Sequence, residues 1–233
     1  EAASDKKLSF AVCSSQGVRD IYSKAFGLSA EQTLPLGSAD SDWYFQEHDI
    51  KEMRDRFDES YPAANGKKLV LYAPTFRDDR TDDEKLLDGF YADKVCKALG
   101  EEYCLLVRLH PQVHSTQCIL HSVCDVTSWK STNELCLMSD ILITDYSSIC
   151  MDFALQSKPM VFYAFDLDKY SERRGFYFDY ESYVPGPVAH DLDELLKILE
   201  QKDFQTEKIE QFRKMNFGEP DGKAAARIAE LVV

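Results

Sequence analysis

The stretch from Leu135 to Phe178 constrains the fold more than any other part of the chain. Ile141 to Thr144 is a short apolar run of the kind that makes a fully buried strand. Asp145-Tyr146-Ser147-Ser148 follows as a polar turn, and Ile149 to Gln156 then carries a helical pattern. A second apolar run, Met160 to Phe165, reads as a neighbouring parallel strand. Strand, polar turn and helix together point free backbone N–H groups at an anion, and two serines add hydroxyl donors. The same residues also suit helix capping by Asp145, Ser147 or Ser148, and spacing alone leaves both readings open.

The alternation extends over the whole chain. Leu8 to Cys13 reads as a strand, followed by a helix from Gly17 to Phe26 that Ser14 or Ser15 caps and Gly27 ends. Gln32 to Leu36, Lys68 to Tyr72, Tyr103 to Leu109 and Val123 to Val126 read as further strands. Helices are expected over Asp49 to Phe57, Leu86 to Leu99, from Ser131 to Ser139, Leu192 to Leu199, Thr206 to Met215 and from Asp221 to Leu231. No internal repeat or linker interrupts them. Such alternation predicts an α/β fold with a doubly wound parallel sheet of about six strands, with residues 1–233 as one Rossmann-like domain.

Composition limits the partners. The 233 residues are 44% hydrophobic and 12% aromatic, sufficient for a sizeable core. With 41 acidic against 27 basic residues the net charge is −14, which argues against a general nucleic-acid binder and against broad adhesion to anionic lipid. No apolar run approaches the roughly 20 residues of a membrane helix, and no secretory signal is visible. Seven cysteines without a CxxC pair fit reduced thiols in a cytoplasmic protein.

In an open parallel sheet ligands bind at the carboxyl ends of the strands. Thr75 and Arg77, Arg108 and His110, and Asp145, Ser147 and Ser148 all fall at such ends. Basic groups, a histidine and a hydroxyl-bearing helix start suit a nucleotide diphosphate, whose leaving phosphate gains charge as it departs. Alternation puts Arg108 and His110 on one face of the extended chain. Arg173 and Arg174 precede Gly175-Phe176-Tyr177-Phe178-Asp179, which reads either as a loop with aromatics beneath it or as a loop bordering the ligand site.

Asp145-Tyr146-Ser147-Ser148, Lys158-Pro159, Phe162-Tyr163-Ala164, Arg174-Gly175-Phe176-Tyr177-Phe178-Asp179 and Pro185-Gly186-Pro187 occur in an order that resembles the CDP-glycerol:poly(glycerophosphate) glycerophosphotransferase family, the polymerases and primases of teichoic acid synthesis. Leu71-Tyr72-Ala73-Pro74-Thr75-Phe76-Arg77 and Arg108-Leu109-His110-Pro111 extend the resemblance over most of the chain from about residue 8. It implies the C-terminal, donor-binding half of a GT-B fold, with the acceptor domain and any membrane association lying outside this chain. It also implies transfer of glycerol phosphate or a related polyol phosphate from a CDP-polyol to a polymer or lipid-linked acceptor, with release of CMP and without a cofactor. His110 is the implied catalytic residue; Thr75, Arg77, Arg108, Asp145, Ser147, Ser148, Arg174 and Gly175 are the implied donor-binding residues. A sugar-nucleotide glycosyltransferase domain or a non-catalytic nucleotide-binding module would share the sheet. The family's Gly-x-Pro-Arg-x-Asp segment is here Gly37-Ser38-Ala39-Asp40-Ser41-Asp42, without the proline and arginine.

Two groups of residues invite a metal. Asp78-Asp79 with Asp82-Asp83 can hold a divalent cation beside a diphosphate, or be solvated loop acids. His114, Cys118, His121 and Cys124 are metal-capable but lack the tight paired spacing of a structural zinc site. Elemental analysis of the purified protein should therefore find no stoichiometric zinc; zinc that is lost on Cys118→Ser would overturn this.

Overall fold

The structure is a computed structural model that describes residues 8–78, 86, 90–110 and 123–231. Asp79, Asp82, Asp83, Pro111, His114, Cys118 and His121 lie outside the described residues. The chain divides into two compact units, Asp49–Ile209 and Glu1–His48 with Glu210–Val233.

The larger unit is built on six parallel strands: β3 (Lys68–Tyr72), β4 (Tyr103–Val107), β5 (Cys124–Asp125), β6 (Ile141–Thr144), β7 (Met160–Tyr163) and β8 (Val188–Ala189). Their spatial order is β5-β4-β3-β6-β7-β8, every neighbouring pair parallel. The continuous apolar runs follow from cover on both faces. Val70, Tyr72, Leu105, Val107, Ile141, Ile143, Val161 and Tyr163 pack into one core with Ala92, Val95 and Leu99 of α3 (Ala92–Leu99) and Leu195 and Leu199 of α8 (Leu192–Gln201). Alternation turns Leu69, Leu71, Leu106, Leu142, Met160 and Phe162 to the opposite face. There α2 (Ile50–Ser60), α4 (Thr132–Met138) and α5 (Ile149–Ala154) bury Phe57, Leu135 and Phe153. The sheet is therefore doubly wound, as expected.

Local chemistry fixes the element ends. Asp49, Ser131 and Asp191 accept from Glu52, Glu134 and Glu194 N–H and so cap α2, α4 and α8. Lys158 donates its ammonium to the carbonyls of Leu137 and Ser139 at 2.7 and 2.8 Å, which satisfies the carboxyl end of α4. Strand β4 stops at Val107, two residues short of expectation, and β7 at Tyr163. The stretch after β7 holds two helices the sequence analysis did not foresee, α6 (Leu167–Arg174) and α7 (Tyr180–Tyr183), and then β8. Arg173 and Arg174 thus end a helix, with Gly175 as its cap at φ 69°.

In the smaller unit β1 (Ala11–Cys13) pairs in parallel with β2 (Thr33–Pro35), and α1 (Arg19–Phe26) connects them. Among the described residues neither strand pairs with the six-stranded sheet. The unit also carries most of α9 (Glu207–Phe217) and all of α10 (Ala224–Ala229). Gly37 adopts φ +101°, and a Cβ on it would stand 2.7 Å from the Ala224 side chain. Asp42 is buried and accepts from the N–H groups of Ala224 and Ala225 at 3.0 and 2.7 Å, capping α10. Ala39 and Asp40 are exposed. The two positions of this segment that match the resembled pattern thus both have a packing role, as does buried Ser41.

Asp42→Ala should cost about 1–2 kcal/mol, the range of a lost helix cap, whereas Asp40→Ala should stay within about 0.5 kcal/mol. Denaturant titration of both variants checks this; equal effects would contradict the assignment.

Candidate functional site

Strands β3, β4 and β5 step outward in one direction, and β6, β7 and β8 step outward in the other. The order reverses between β3 and β6, and a crevice at such a switch point is where open parallel sheets bind ligands. The loops there are Ala73–Asp78 after β3 and Asp145–Ser148 after β6.

A buried ion cluster holds these loops. Arg77 is only 7% exposed and Asp145 3%. Arg77 Nη1 lies 2.9 Å from Asp145 Oδ2. Its Nε and Nη2 donate to the two oxygens of Asp166 at 2.8 and 2.9 Å. Nη1 also donates to the Thr75 carbonyl at 2.6 Å. Asp145 Oδ1 accepts from the N–H groups of Thr75 and Tyr146 at 2.8 and 2.6 Å. Tyr146 donates its hydroxyl to Asp166 at 3.0 Å, and Tyr180 donates its own to the Asp145 carbonyl at 2.9 Å. The Arg77 guanidinium carbon sits 5.0 Å from the Tyr146 ring centre and 5.6 Å from that of Tyr170, and these two rings stack at 3.8 Å.

Burial works against the Arg77 charge, but Asp166 and Asp145 outweigh it and hold the proton more firmly. Burial pushes the Asp145 carboxyl up, against the pull of Arg77 and Thr75. It also pushes the phenols of Tyr146 and Tyr180 up. Arg77 and Asp145 are engaged with each other and with the loop backbone in this arrangement. Asp166 and Tyr146 complete the cluster, and the sequence analysis missed both. The signal available was an acid directly after the apolar run Met160 to Phe165.

Thr75 Oγ1 is buried and faces the Asp145 carboxyl, which it helps to hold ionised. Other side chains at the switch point keep unused capacity. Ser148 stands at the amino end of α5 and is exposed, and its side chain makes no capping bond. Ser147 Oγ accepts only a long bond, 3.4 Å, from Ile149 N–H. The capping role open to these serines is thus weakly exercised. His110, two strands from β6, is exposed, and its ring centre lies 4.7 Å from that of Phe76 in the loop after β3.

Arg108 is placed differently from expectation. It turns toward the β5 side of the sheet and donates Nη1 to the carbonyls of Trp129 and Val126 at 2.7 and 3.3 Å. His110 leans the other way, toward the loop after β3. The cause is that β4 ends at Val107, so strand alternation no longer governs residues 108–110. Burial lowers the Arg108 guanidinium, and among the described residues no carboxylate pairs with it.

Arg174 closes the outer edge of a crevice lined by Thr75, Phe76, Arg77, Asp166 and Tyr170. It donates Nη2 to Asp78 Oδ1 at 2.5 Å, both side chains being half exposed. Asp78, the described member of the acidic group, is thus paired with an arginine. Gly175 turns the chain out of α6, after which Phe176 packs against Tyr146, Tyr170 and Tyr180 while Tyr177 is 67% exposed. Cys124, the described member of the histidine–cysteine group, lies in β5 with its sulfur 3.5 Å from that of Cys104.

Comparison with known proteins gives the family. The sequence profile of CDP-Glycerol:Poly(glycerophosphate) glycerophosphotransferase matches residues 2–233. The chain is 34% identical to a teichoic acid poly(ribitol-phosphate) polymerase of Bacillus spizizenii, over 95% of this chain and 37% of that protein. It is 32% identical to a teichoic acid glycerol-phosphate transferase of Staphylococcus aureus, over 91% of this chain and 57% of the relative. A structure of the wall teichoic acid polymerase TagF, a variant soaked with CDPG, superposes with a TM-score of 0.80 at 30% identity, covering 98% of this chain and 58% of that one. The chain therefore spans less than two thirds of the length of these relatives. With a profile match over nearly every residue, the chain belongs to the CDP-glycerol:poly(glycerophosphate) glycerophosphotransferase family, whose relatives here are teichoic acid polyol-phosphate transferases.

Proposed function

We propose that this chain supplies the donor site of an enzyme that transfers glycerol phosphate, or a related polyol phosphate, from a CDP-polyol to a hydroxyl of a teichoic-acid-like polymer or lipid-linked acceptor. The observation that carries this reading is the set of unengaged donors at the switch point. The Ser148 hydroxyl is exposed at a helix start and makes no capping bond, and Ser147 Oγ accepts only a long bond among the described residues. A helix start adds N–H groups and partial positive charge, which suit a pyrophosphate.

In the reaction an acceptor oxygen attacks the β-phosphate, a new P–O bond forms, and the bond to CMP breaks. The attacking hydroxyl loses its proton and the leaving phosphate gains charge. Thr75, Ser147 and Ser148 would hold the phosphate oxygens, and Arg108 would add positive charge at the outer end of the rim. His110 would donate a hydrogen bond to a phosphate or shuttle the proton. Arg174 and Gly175 would border the donor beside the aromatic stack. Positioning and charge stabilisation supply the rate. The polyol is glycerol in the name of one relative and ribitol in that of another, so both CDP-glycerol and CDP-ribitol belong in the test.

Calorimetric titration of CDP-glycerol into the wild type, His110→Ala and Ser148→Ala tests the site, with folding of each variant verified by circular dichroism. A hydrogen bond to a charged phosphate contributes about 1.5–3 kcal/mol, so each variant should bind roughly 10- to 100-fold more weakly. Unchanged affinity in both would remove this rim as the donor site. Tighter binding of UDP-sugars than of either CDP-polyol would favour a glycosyltransferase. Binding without turnover in the full-length protein would favour a non-catalytic module.

A further inference from the structure

Among the described residues two cysteines face each other. Cys104 of β4 and Cys124 of β5 bring their sulfurs within 3.5 Å, and both are buried. In the strand register Cys124 pairs with Leu106, so Cys104 and Cys124 project from the same sheet face on a diagonal. A disulfide needs about 2.05 Å between sulfurs, so the pair must close by about 1.5 Å. The movable partner is evident. Strand β5 has two residues, lies at the sheet edge, and among the described residues pairs only with β4.

What β5 carries makes such a shift consequential. The residues directly after it hold the end of β4: Val126 N–H donates to the Val107 carbonyl at 2.9 Å, and Leu109 N–H donates to Thr127 Oγ1 at 3.0 Å. The carbonyls of Val126 and Trp129 hold Arg108. Pulling Cys124 along the diagonal toward Cys104 slides this segment toward the amino end of β4, away from Leu109 and Arg108.

We propose that Cys104 and Cys124 form a reversible dithiol–disulfide pair, a redox modification site whose oxidation shifts β5 and releases the segment that anchors Arg108. The oxidant class is a peroxide. The Cys124 sulfur attacks a peroxide oxygen, the O–O bond breaks, and the departing hydroxide takes the Cys124 proton to give water and a sulfenic acid on Cys124. The Cys104 sulfur then attacks the Cys124 sulfur. The S–O bond breaks, the S–S bond forms, and hydroxide leaves with the Cys104 proton as a second water. Two electrons pass from the sulfurs to the peroxide, and a dithiol reverses the change by exchange. Cys124 lies on the short edge strand and reacts first; the hydrogen bond it shares with Cys104 pulls its thiol down and pushes that of Cys104 up. This inference rests on no reading of the donor site.

The test uses the reduced chain with hydrogen peroxide as probe, followed by alkylation of remaining thiols, digestion and mass spectrometry. A Cys104–Cys124 linked peptide should be the main cross-link and should disappear with dithiothreitol. Recovery of both cysteines alkylated, or linkage of Cys124 mainly to Cys118, overturns the pair. Hydrogen exchange then reads the coupling: loss of one hydrogen bond should speed exchange of the Leu109 amide by roughly fivefold in the oxidised chain. A Cys104→Ser chain treated identically should show no such change. A link that forms without any change at Leu109 overturns the coupling to Arg108.

Discussion

The larger unit depends on Arg77. Its guanidinium meets two carboxylates from different loops, Asp145 after β6 and Asp166 after β7, while itself belonging to the loop after β3. Three crossover connections therefore converge on one buried cation. Such a cluster is a poor source of net stability, because desolvation offsets much of the attraction. Its effect is on uniqueness. Loss of one partner leaves a buried charge uncompensated, typically at about 3–5 kcal/mol, so alternative loop arrangements are strongly disfavoured. Stacked Tyr146 and Tyr170 cover the guanidinium and keep water out.

That arrangement separates two kinds of residue within one motif. In Asp145-Tyr146-Ser147-Ser148 the first two are turned inward, to Arg77 and Asp166, and the last two remain near the surface. In the segment ending Thr75-Phe76-Arg77 the arginine is inward, and Thr75 anchors the turn through its backbone N–H. Inward framework residues and outward residues thus alternate over a few positions, and rigidity of the inner set fixes where the outer set stands.

How much of this was legible follows the same division. Strands β3, β4, β6 and β7 are continuous apolar runs, because burial on both faces leaves no polar position, and they are visible in sequence for that reason. Helix α6 has no buried residue and a strongly polar composition, so periodicity has nothing to register there. Strand β8 has two residues, too few for any pattern. The opposite turns of Arg108 and His110 depend on where β4 stops, and the apolar run continues past that point in Leu109. The separation of β1 and β2 into another unit is a matter of which strands pair, and alternation of elements carries no information about pairing.

The charge of the chain sharpens what kind of anion site it can hold. A net charge of −14 repels a nucleotide diphosphate at long range, yet at physiological salt that field is screened beyond about 8 Å. Close to the sheet the balance is set by individual groups. Arg77 is neutralised by two carboxylates and Arg174 by Asp78, so neither contributes a free positive field. Arg108 is held by carbonyls alone, with no carboxylate partner among the described residues, and keeps its charge uncompensated. The remaining donors near β6 are neutral: serine and threonine hydroxyls and the N–H groups at the start of α5. Neutral, fixed donors gain most from exclusion of water, because their hydrogen bonds strengthen as the local dielectric falls. Donors of this composition favour geometry over charge, which is the discrimination the proposed donor site would need in an acidic protein.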